Sequence, residues 1–323
     1  MEAILDRQQV ALLAVGRALR AEGYRFVTPT PETHRRVNGR PHLEEAQTLR
    51  DVFGWNRAFR RSALPAHILA LAERAAILVP AAHGWWFSAV RFSTLSSPTA
   101  SAGELMFVHS AYPTAASDAV FFGPDSYRFG SFLLRAISRA ERVVDIGCGA
   151  GVGGLLLAPR VDSVVLADIN PRALTLAAVN VALAGLDRST VTIQESDVLA
   201  QVEGGFDLAI ANPPYLVDDA GRLYRDGGGR LGTELAARIV REALARLSPG
   251  GRLVLYSASP VVDGRYVLRE QLEPLLQAQA STWTWEELDP DVFGEELDRP
   301  AYEQVERIAV VGLVAKVATL ASG

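Results

Sequence analysis

The stretch Val143-Val-Asp-Ile-Gly-Cys-Gly-Ala-Gly-Val-Gly153 constrains this chain more than any other. Apolar β-branched residues flank Asp145 as in a buried strand, and the glycines after it allow a tight turn whose bare backbone can approach a ligand closely. Leu155, Leu156 and Leu157 carry the apolar run onward, so the unit reads strand, Gly-rich turn, helix. That arrangement aims a helix N-terminus and free N–H groups at a bound nucleoside. Such a turn serves NAD, FAD and S-adenosylmethionine (SAM) alike, and by itself it is also compatible with a purely structural bend.

From Val143 on, strand-like and helix-like runs alternate. Strands are expected at 142–146, 163–168, 190–195, 206–211, 251–257, 281–287 and 305–314, with helices at 130–140, 151–159, 171–185, 232–247 and 264–278. The alternation argues for an α/β fold with a doubly wound, mostly parallel seven-stranded sheet. Asp168 ends the second strand, 23 residues beyond Asp145. A carboxylate there can accept hydrogen bonds from both ribose hydroxyls of an adenosyl ligand, with Ile169 beside it. The competing reading is a cap for the following helix, a role for which Asn170 is the rival.

A chain of 323 residues has room for two domains, taken here as 1–118 and 119–323. The first reads as a smaller α+β unit. Helices are expected at 3–21, 43–53 and 65–78, a loop at 28–41, and a hairpin from 85–95 and 104–110, a pattern that would suit a winged-helix-like module. The net charge of −5 argues against holding nucleic acid by bulk positive charge. The halves differ, however: residues 1–130 carry 14 basic against 11 acidic residues, and the remainder 18 against 26. Trp55, Arg57, Phe59, Arg60 and Arg61 form a basic aromatic stretch of the kind that meets RNA, whereas an acidic segment at 288–304 favours a basic protein.

The sharpest chemical signal is Asn212-Pro213-Pro214-Tyr215, directly after the strand 206–211. The prolines remove N–H donors and stiffen the backbone, which leaves carbonyl groups fixed and facing a ligand. A planar amide or exocyclic amino nitrogen is a poor nucleophile because its lone pair is delocalised. The Asn212 carboxamide oxygen and the Pro213 carbonyl can accept its two N–H hydrogens while Tyr215 walls or stacks on the planar group. Positioning of this kind can supply about 7–11 kcal/mol of a barrier without a strong base.

Together, the Gly147, Gly149 and Gly151 turn, Asp168 and the Asn-Pro-Pro-Tyr tetrapeptide resemble the class I SAM-dependent methyltransferases that act on amino and amide nitrogens. The likeness covers about residues 120–257 and is strongest to the release-factor glutamine and small-domain ribosomal RNA guanine N2 enzymes. It implies a Rossmann-like domain binding SAM. Asp145 and the glycines would line the methionine end, Asp168 and Ile169 the ribose and base, and Asp197 would lie near the adenine amine. Tyr127, in the segment Phe122-Gly-Pro124-Asp125-Ser-Tyr127 that precedes the core, would also touch the cofactor. Phe122, Pro124, Asp125, Tyr215, Tyr224 and Arg225 would meet the acceptor, and Asn212, Pro213 and Tyr215 would be catalytic. Residues 1–110 do not resemble the helical release-factor-binding domain, so the acceptor stays open between protein glutamine, an RNA base amine and a small metabolite.

All five histidines, His34, His42, His67, His83 and His109, precede residue 119, so the second domain offers no His base and no His metal site. His109 is the one placed to approach the cleft. Cys148 is the single cysteine and reads as a small turn residue. No metal is expected. Neither a signal peptide nor a membrane span is legible, which points to a cytoplasmic protein. A non-catalytic SAM-binding or nucleic-acid-binding regulatory module is the alternative of another class.

Overall fold

The computed structural model of the chain describes residues 5–43, 45–97, 103–187 and 189–319. The N-terminal region comprises α1 (Arg7–Ala21), α2 (Pro31–Asn38), α3 (Leu49–Phe53), α4 (Ala66–Arg74), a short ribbon of β1 (Leu78–Pro80) and β2 (Trp86–Ser88), and the hairpin β3 (Val90–Ser96) with β4 (Glu104–Ser110). Ala3 and Ile4, where the first helix was expected to begin, lie outside the described residues. The helix starts instead at a capping box, in which Asp6 accepts from Gln9 N and the Gln9 side chain accepts from Asp6 N.

The remainder runs α5 (Pro124–Ala136), β5 (Ala140–Ile146), α6 (Val152–Leu157), β6 (Val161–Asp168), α7 (Pro171–Leu183), β7 (Val191–Glu195), β8 (Phe206–Ala211), α8 (Glu234–Arg246), β9 (Leu247–Val262), β10 (Arg265–Tyr266), α9 (Val267–Gln279), β11 (Thr282–Asp289) and β12 (Arg307–Lys316). The main sheet has the order β11-β12-β9-β8-β5-β6-β7, with the two-residue β10 folded back on β9. Pairing is parallel from β9 through β8, β5 and β6 to β7, and antiparallel at β12 and β11. This is the Rossmann-like sheet that the alternating pattern implied.

Side chains of the central strands alternate between two apolar layers, as a strand buried on both faces requires. Val144, Ala209 and Leu253 pack with α8 and α9, whereas Val143, Leu208 and Val254 pack with α5. Toward the other edge, Val164 and Leu166 of β6 share a core with α7, α1, β3 and β4. The N-terminal region is thus joined to the sheet by a continuous hydrophobic core.

Two expectations change. The stretch 28–41, read as a loop because of its prolines and polar residues, holds α2: Thr30 Oγ1 accepts from Thr33 N, and Pro31 occupies the first turn, where its missing N–H costs nothing. The helix expected from Gly130 begins at Pro124 for the same reason. The β3–β4 hairpin is present, but its residues are buried almost throughout, so it serves as a packing surface. Among the described residues no helix is long and apolar enough to cross a membrane.

A single side chain covers the middle of the outer edge of β4. The fully buried Asn180 of α7 accepts from Val108 N at 2.8 Å and donates to Val108 O at 3.1 Å and to Ala150 O at 2.9 Å. It replaces the missing third strand and ties the hairpin to the glycine turn. Asn180→Ala strands these buried groups and should lower unfolding stability by roughly 2–4 kcal/mol, read as a reduced urea midpoint at unchanged m-value.

Candidate active site

Within the sheet, β5 has β6 on one side and β8 on the other, so the chain winds away in both directions and leaves a crevice at the carboxyl ends of these strands. The motifs gather there: Gly147 follows β5, Asp168 closes β6, Asp197 follows β7 and Asn212 follows β8. They line a first cavity together with Asp145, Gly149, Ile169 and Pro213.

The turn is held open by its own backbone. Gly147 and Gly149 have φ of +68° and +54°, a region that side chains disfavour, and a Cβ at either would meet no atom within 4 Å. That open space belongs to the cavity. Asp168 accepts from Gly149 N at 2.8 Å and from Asn170 N at 2.9 Å. Asn170 is the cap of α7, accepting from Arg172 N at 3.0 Å, so the rivalry posed by the sequence resolves and Asp168 faces the cavity. Burial pushes the Asp168 carboxyl up, opposed by the N–H groups it accepts.

Asp145 accepts from Gly154 N at 2.8 Å. Burial raises its pKa from 3.8 to about 7, against the N–H bond from Gly154 and with a further push from Asp168. Ile169 is 51% exposed and presents an apolar face to the cavity. Asp197 is clamped by the Arg238 guanidinium through bonds of 2.8 and 2.9 Å. Cys148 is buried, and burial pushes its thiol up, which disfavours the thiolate.

A second cavity meets the first at Asn212, Pro213 and Pro214, and Phe121 and Tyr224 line both. These two rings stack at 5.6 Å with an interplanar angle of 8°, and the Tyr224 hydroxyl bonds Thr114 Oγ1 at 2.8 Å and donates to Thr114 O at 3.0 Å. Pro124, Asp125, Tyr215 and Arg225 also line this second cavity. Asn212 is half-buried, yet among the described residues no group hydrogen-bonds its carboxamide or donates to the Pro213 carbonyl. Two carbonyl oxygens are therefore left without a protein donor, open to the space where the cavities join.

Tyr215 stands at 7% exposure with its ring 6.1 Å from Phe293. Burial first, and then the neighbouring Asp125 and Tyr256, push its phenol well up, so it stays neutral. Asp125 accepts from the Tyr256 hydroxyl at 2.7 Å and faces Arg128 at 3.4 Å.

The loop after Tyr215 is fastened to the segment between β11 and β12. Arg225 pairs with the buried Glu296, which also pairs with Arg299 at 2.8 Å. Arg299 reaches Asp219 at 2.8 Å and donates to Val217 O, and Val217 N donates to the Tyr302 hydroxyl at 2.9 Å. Hydrogen bonds from Arg222 hold Asp218 at about 2. This web builds one wall of the second cavity.

Three expected residues lie elsewhere. Phe122 is 2% exposed and stacks on His109 at 5.1 Å, because side chains alternate along the extended segment before α5 and it is Phe121 that turns to the cavity. The Tyr127 hydroxyl accepts from Thr28 N at 2.9 Å, which anchors it in the N-terminal region. Gly151, at φ of +81°, caps α6 beneath the turn. His109 is bonded to Ser93 at 2.8 Å inside the N-terminal core and is not at the cleft. Sequence reasoning named Asn170 only as a helix cap and missed Phe121 and Phe293, of which Phe121 had a signal, as the other half of a Phe-Phe pair.

Residues 115–279 match the methyltransferase small domain family. The chain belongs to that family. Its members are SAM-dependent methyltransferases, and the two connected cavities of this small-domain methyltransferase are its candidate cofactor and acceptor sites. It is 36% identical over 179 residues to the release factor glutamine methyltransferase of Deinococcus radiodurans, covering 50% of this chain and 59% of that one. It is 36% identical over 115 residues to ribosomal RNA small subunit methyltransferase C of Chromohalobacter salexigens, covering 36% of this chain and 31% of that one. The match therefore spans less than two thirds of either relative. A Thermus thermophilus 16S rRNA N2 G1207 methyltransferase, solved with AdoMet and guanosine, shares 20% identity over 81% of this chain and 64% of its own, with a TM-score of 0.46.

The buried Asp145 gives a pH signature. Its folded pKa lies above its ordinary value, so the folded protein keeps a proton that the unfolded chain releases, and this contribution to stability falls as pH rises from about 3.8 to about 7. Asp145→Asn should remove that decline, seen as a flatter melting temperature across the same window. An unchanged pH profile would contradict the assignment.

Proposed function

We propose that this methyltransferase transfers the methyl group of SAM to a planar amide or exocyclic amino nitrogen of a protein or RNA. The observation that carries the reading is the pair of carbonyls without a protein donor, on the Asn212 side chain and the Pro213 backbone, at the join of the two cavities.

The first cavity fits SAM. The space left by the missing Cβ atoms of Gly147 and Gly149 suits close backbone approach, and the Asp168 carboxylate suits a ribose diol. Asp145, Gly147 and Gly149 would hold the methionine end, with Gly151 shaping the turn from below; Ile169 would pack on the base, and Asp197, braced by Arg238, would lie beside it. When bound, SAM supplies a methyl on a positively charged sulfur.

In this reading the chain's own contribution is orientation. Asn212 Oδ1 and Pro213 O accept the two N–H hydrogens of the acceptor nitrogen, which fixes its plane and directs its lone pair toward the first cavity. No prior deprotonation is required, since the nitrogen sheds its proton readily once the new bond to carbon has formed. Tyr215 stays neutral and walls the planar group, with the bonded Asp125 and Tyr256 pair near it. The stacked Phe121 and Tyr224 and the fastened loop exclude water from the junction. Thr30, Pro31 and Glu32 at the start of α2 line the second cavity, which supports a recognition role for residues 1–118.

Asn212→Ala should retain SAM binding by calorimetry and lose on the order of 100-fold or more in turnover, measured as transfer of labelled methyl to a cell extract. Undiminished transfer by this variant would sink the mechanism.

A further inference from the structure

The acceptor cavity has a charge that the N-terminal half of the sequence does not foretell. Its lining includes four acidic side chains, Glu32, Asp125, Asp291 and Glu295, against two basic ones, Arg128 and Arg225. Neither arginine is available to a ligand phosphate. Arg128 is opposed by Asp125 at 3.4 Å and Asp289 at 2.9 Å, and Arg225 by Asp218 at 3.4 Å and by Glu296. Asp291 and Glu295 are exposed, and among the described residues no cation pairs with either carboxylate.

The basic aromatic stretch that favoured RNA is engaged by the protein's own groups, with Arg57 and Phe59 buried and Arg60 and Arg61 exposed. Phe59 is fully buried and Arg57 is 6% exposed, paired to Asp51. Arg60 donates to His83 O and lies over Trp85 at 4.0 Å, and Arg61 is paired to Glu73. At the rim of the cavity, Arg35 and Arg36 both engage Glu32. A phosphate backbone entering here would meet unpaired carboxylates, an arrangement that costs affinity.

We propose that Asp291 and Glu295 are specificity-determining residues that select a cationic polypeptide, one presenting its amide side chain to Asn212 while a flanking Arg or Lys pairs with these carboxylates. The inference rests on the methyl-transfer reading above and adds the partner's charge. The segment that carries both residues is fixed to the loop after Tyr215 by the Arg225–Glu296–Arg299 web, and both residues line the cavity that the Asn-Pro-Pro-Tyr turn also lines. Phe293, between them in sequence, has φ of +56°, a strained conformation for a non-glycine residue, and lines the cavity near the Tyr215 ring.

The test uses three probes with labelled SAM: two peptide pools with a central glutamine or asparagine, one with Arg/Lys flanks and one with Asp/Glu flanks, and protein-free ribosomal RNA. The expected result is transfer to the basic pool at a KM roughly three- to tenfold below that of the acidic pool, a preference that fades with added salt. Asp291→Asn with Glu295→Gln should raise KM for the basic pool by a similar factor without a matching loss of kcat, and Glu295→Lys should reverse the order of the pools. Both positions are exposed, and an unchanged melting temperature separates this effect from misfolding. Equal use of the two pools, transfer to the RNA, or no transfer to either pool overturns the proposal. Loss of the nitrogen-transfer reading itself is seen separately, as Asn212-independent labelling of the cell extract.

Discussion

Two buried carboxylates hold the backbone on which the cofactor site depends. Asp145 accepts the N–H of Gly154 in the first turn of α6, and Asp168 accepts those of Gly149 and Asn170. Each therefore spans a strand end and the segment after it, so the turn keeps an open conformation that a free glycine-rich loop would leave at a high entropic rate. The arrangement carries electrostatic strain. Burial raises the proton affinity of both acids, and Asp168 raises that of Asp145 further. A site of this kind is poised to favour a ligand with donor groups and positive charge.

The acceptor side is organised differently. Its floor comes from the catalytic strand ends, but its walls come from segments far apart in sequence: the start of α2, the residues before α5, the loop after Tyr215 and the stretch between β11 and β12. The last two of these are irregular over most of their length. They are kept in place by side-chain bonds, the Tyr224–Thr114 pair on one side and the Glu296 pairs on the other. Rigidity here is thus electrostatic and local, whereas the cofactor side inherits its rigidity from the sheet.

This contrast explains how much the sequence revealed. The strands of the central sheet were legible because burial on both faces writes long β-branched runs, and the motif residues followed because each stands at a strand end. Asn212, Asp168, Gly147 and Gly149 needed only their neighbours in sequence to be placed at the crevice. Phe121 was passed over for Phe122 because a side chain's direction along an extended segment depends on what covers each face, which two adjacent phenylalanines do not disclose. Thr30-Pro31 hid a helix start behind a proline-rich look. Arg57 and Phe59 looked like a surface because charge and aromaticity are read without burial, and only the packing of α3 and β2 shows them enclosed. Phe293 gave no signal and Glu296 was read only as one acid of the segment 288–304, since its pairing is with a loop some 70 residues earlier.

The Arg225–Glu296 pair joins two segments that arise independently in the chain, one after the catalytic strand and one in a connection near its C-terminal end. A change of length or charge in either leaves a buried ion without its counterpart unless the other changes too. Any remodelling of this wall therefore has to alter the two segments together, whereas the glycine turn and its two carboxylates are bonded to other groups and can stay as they are.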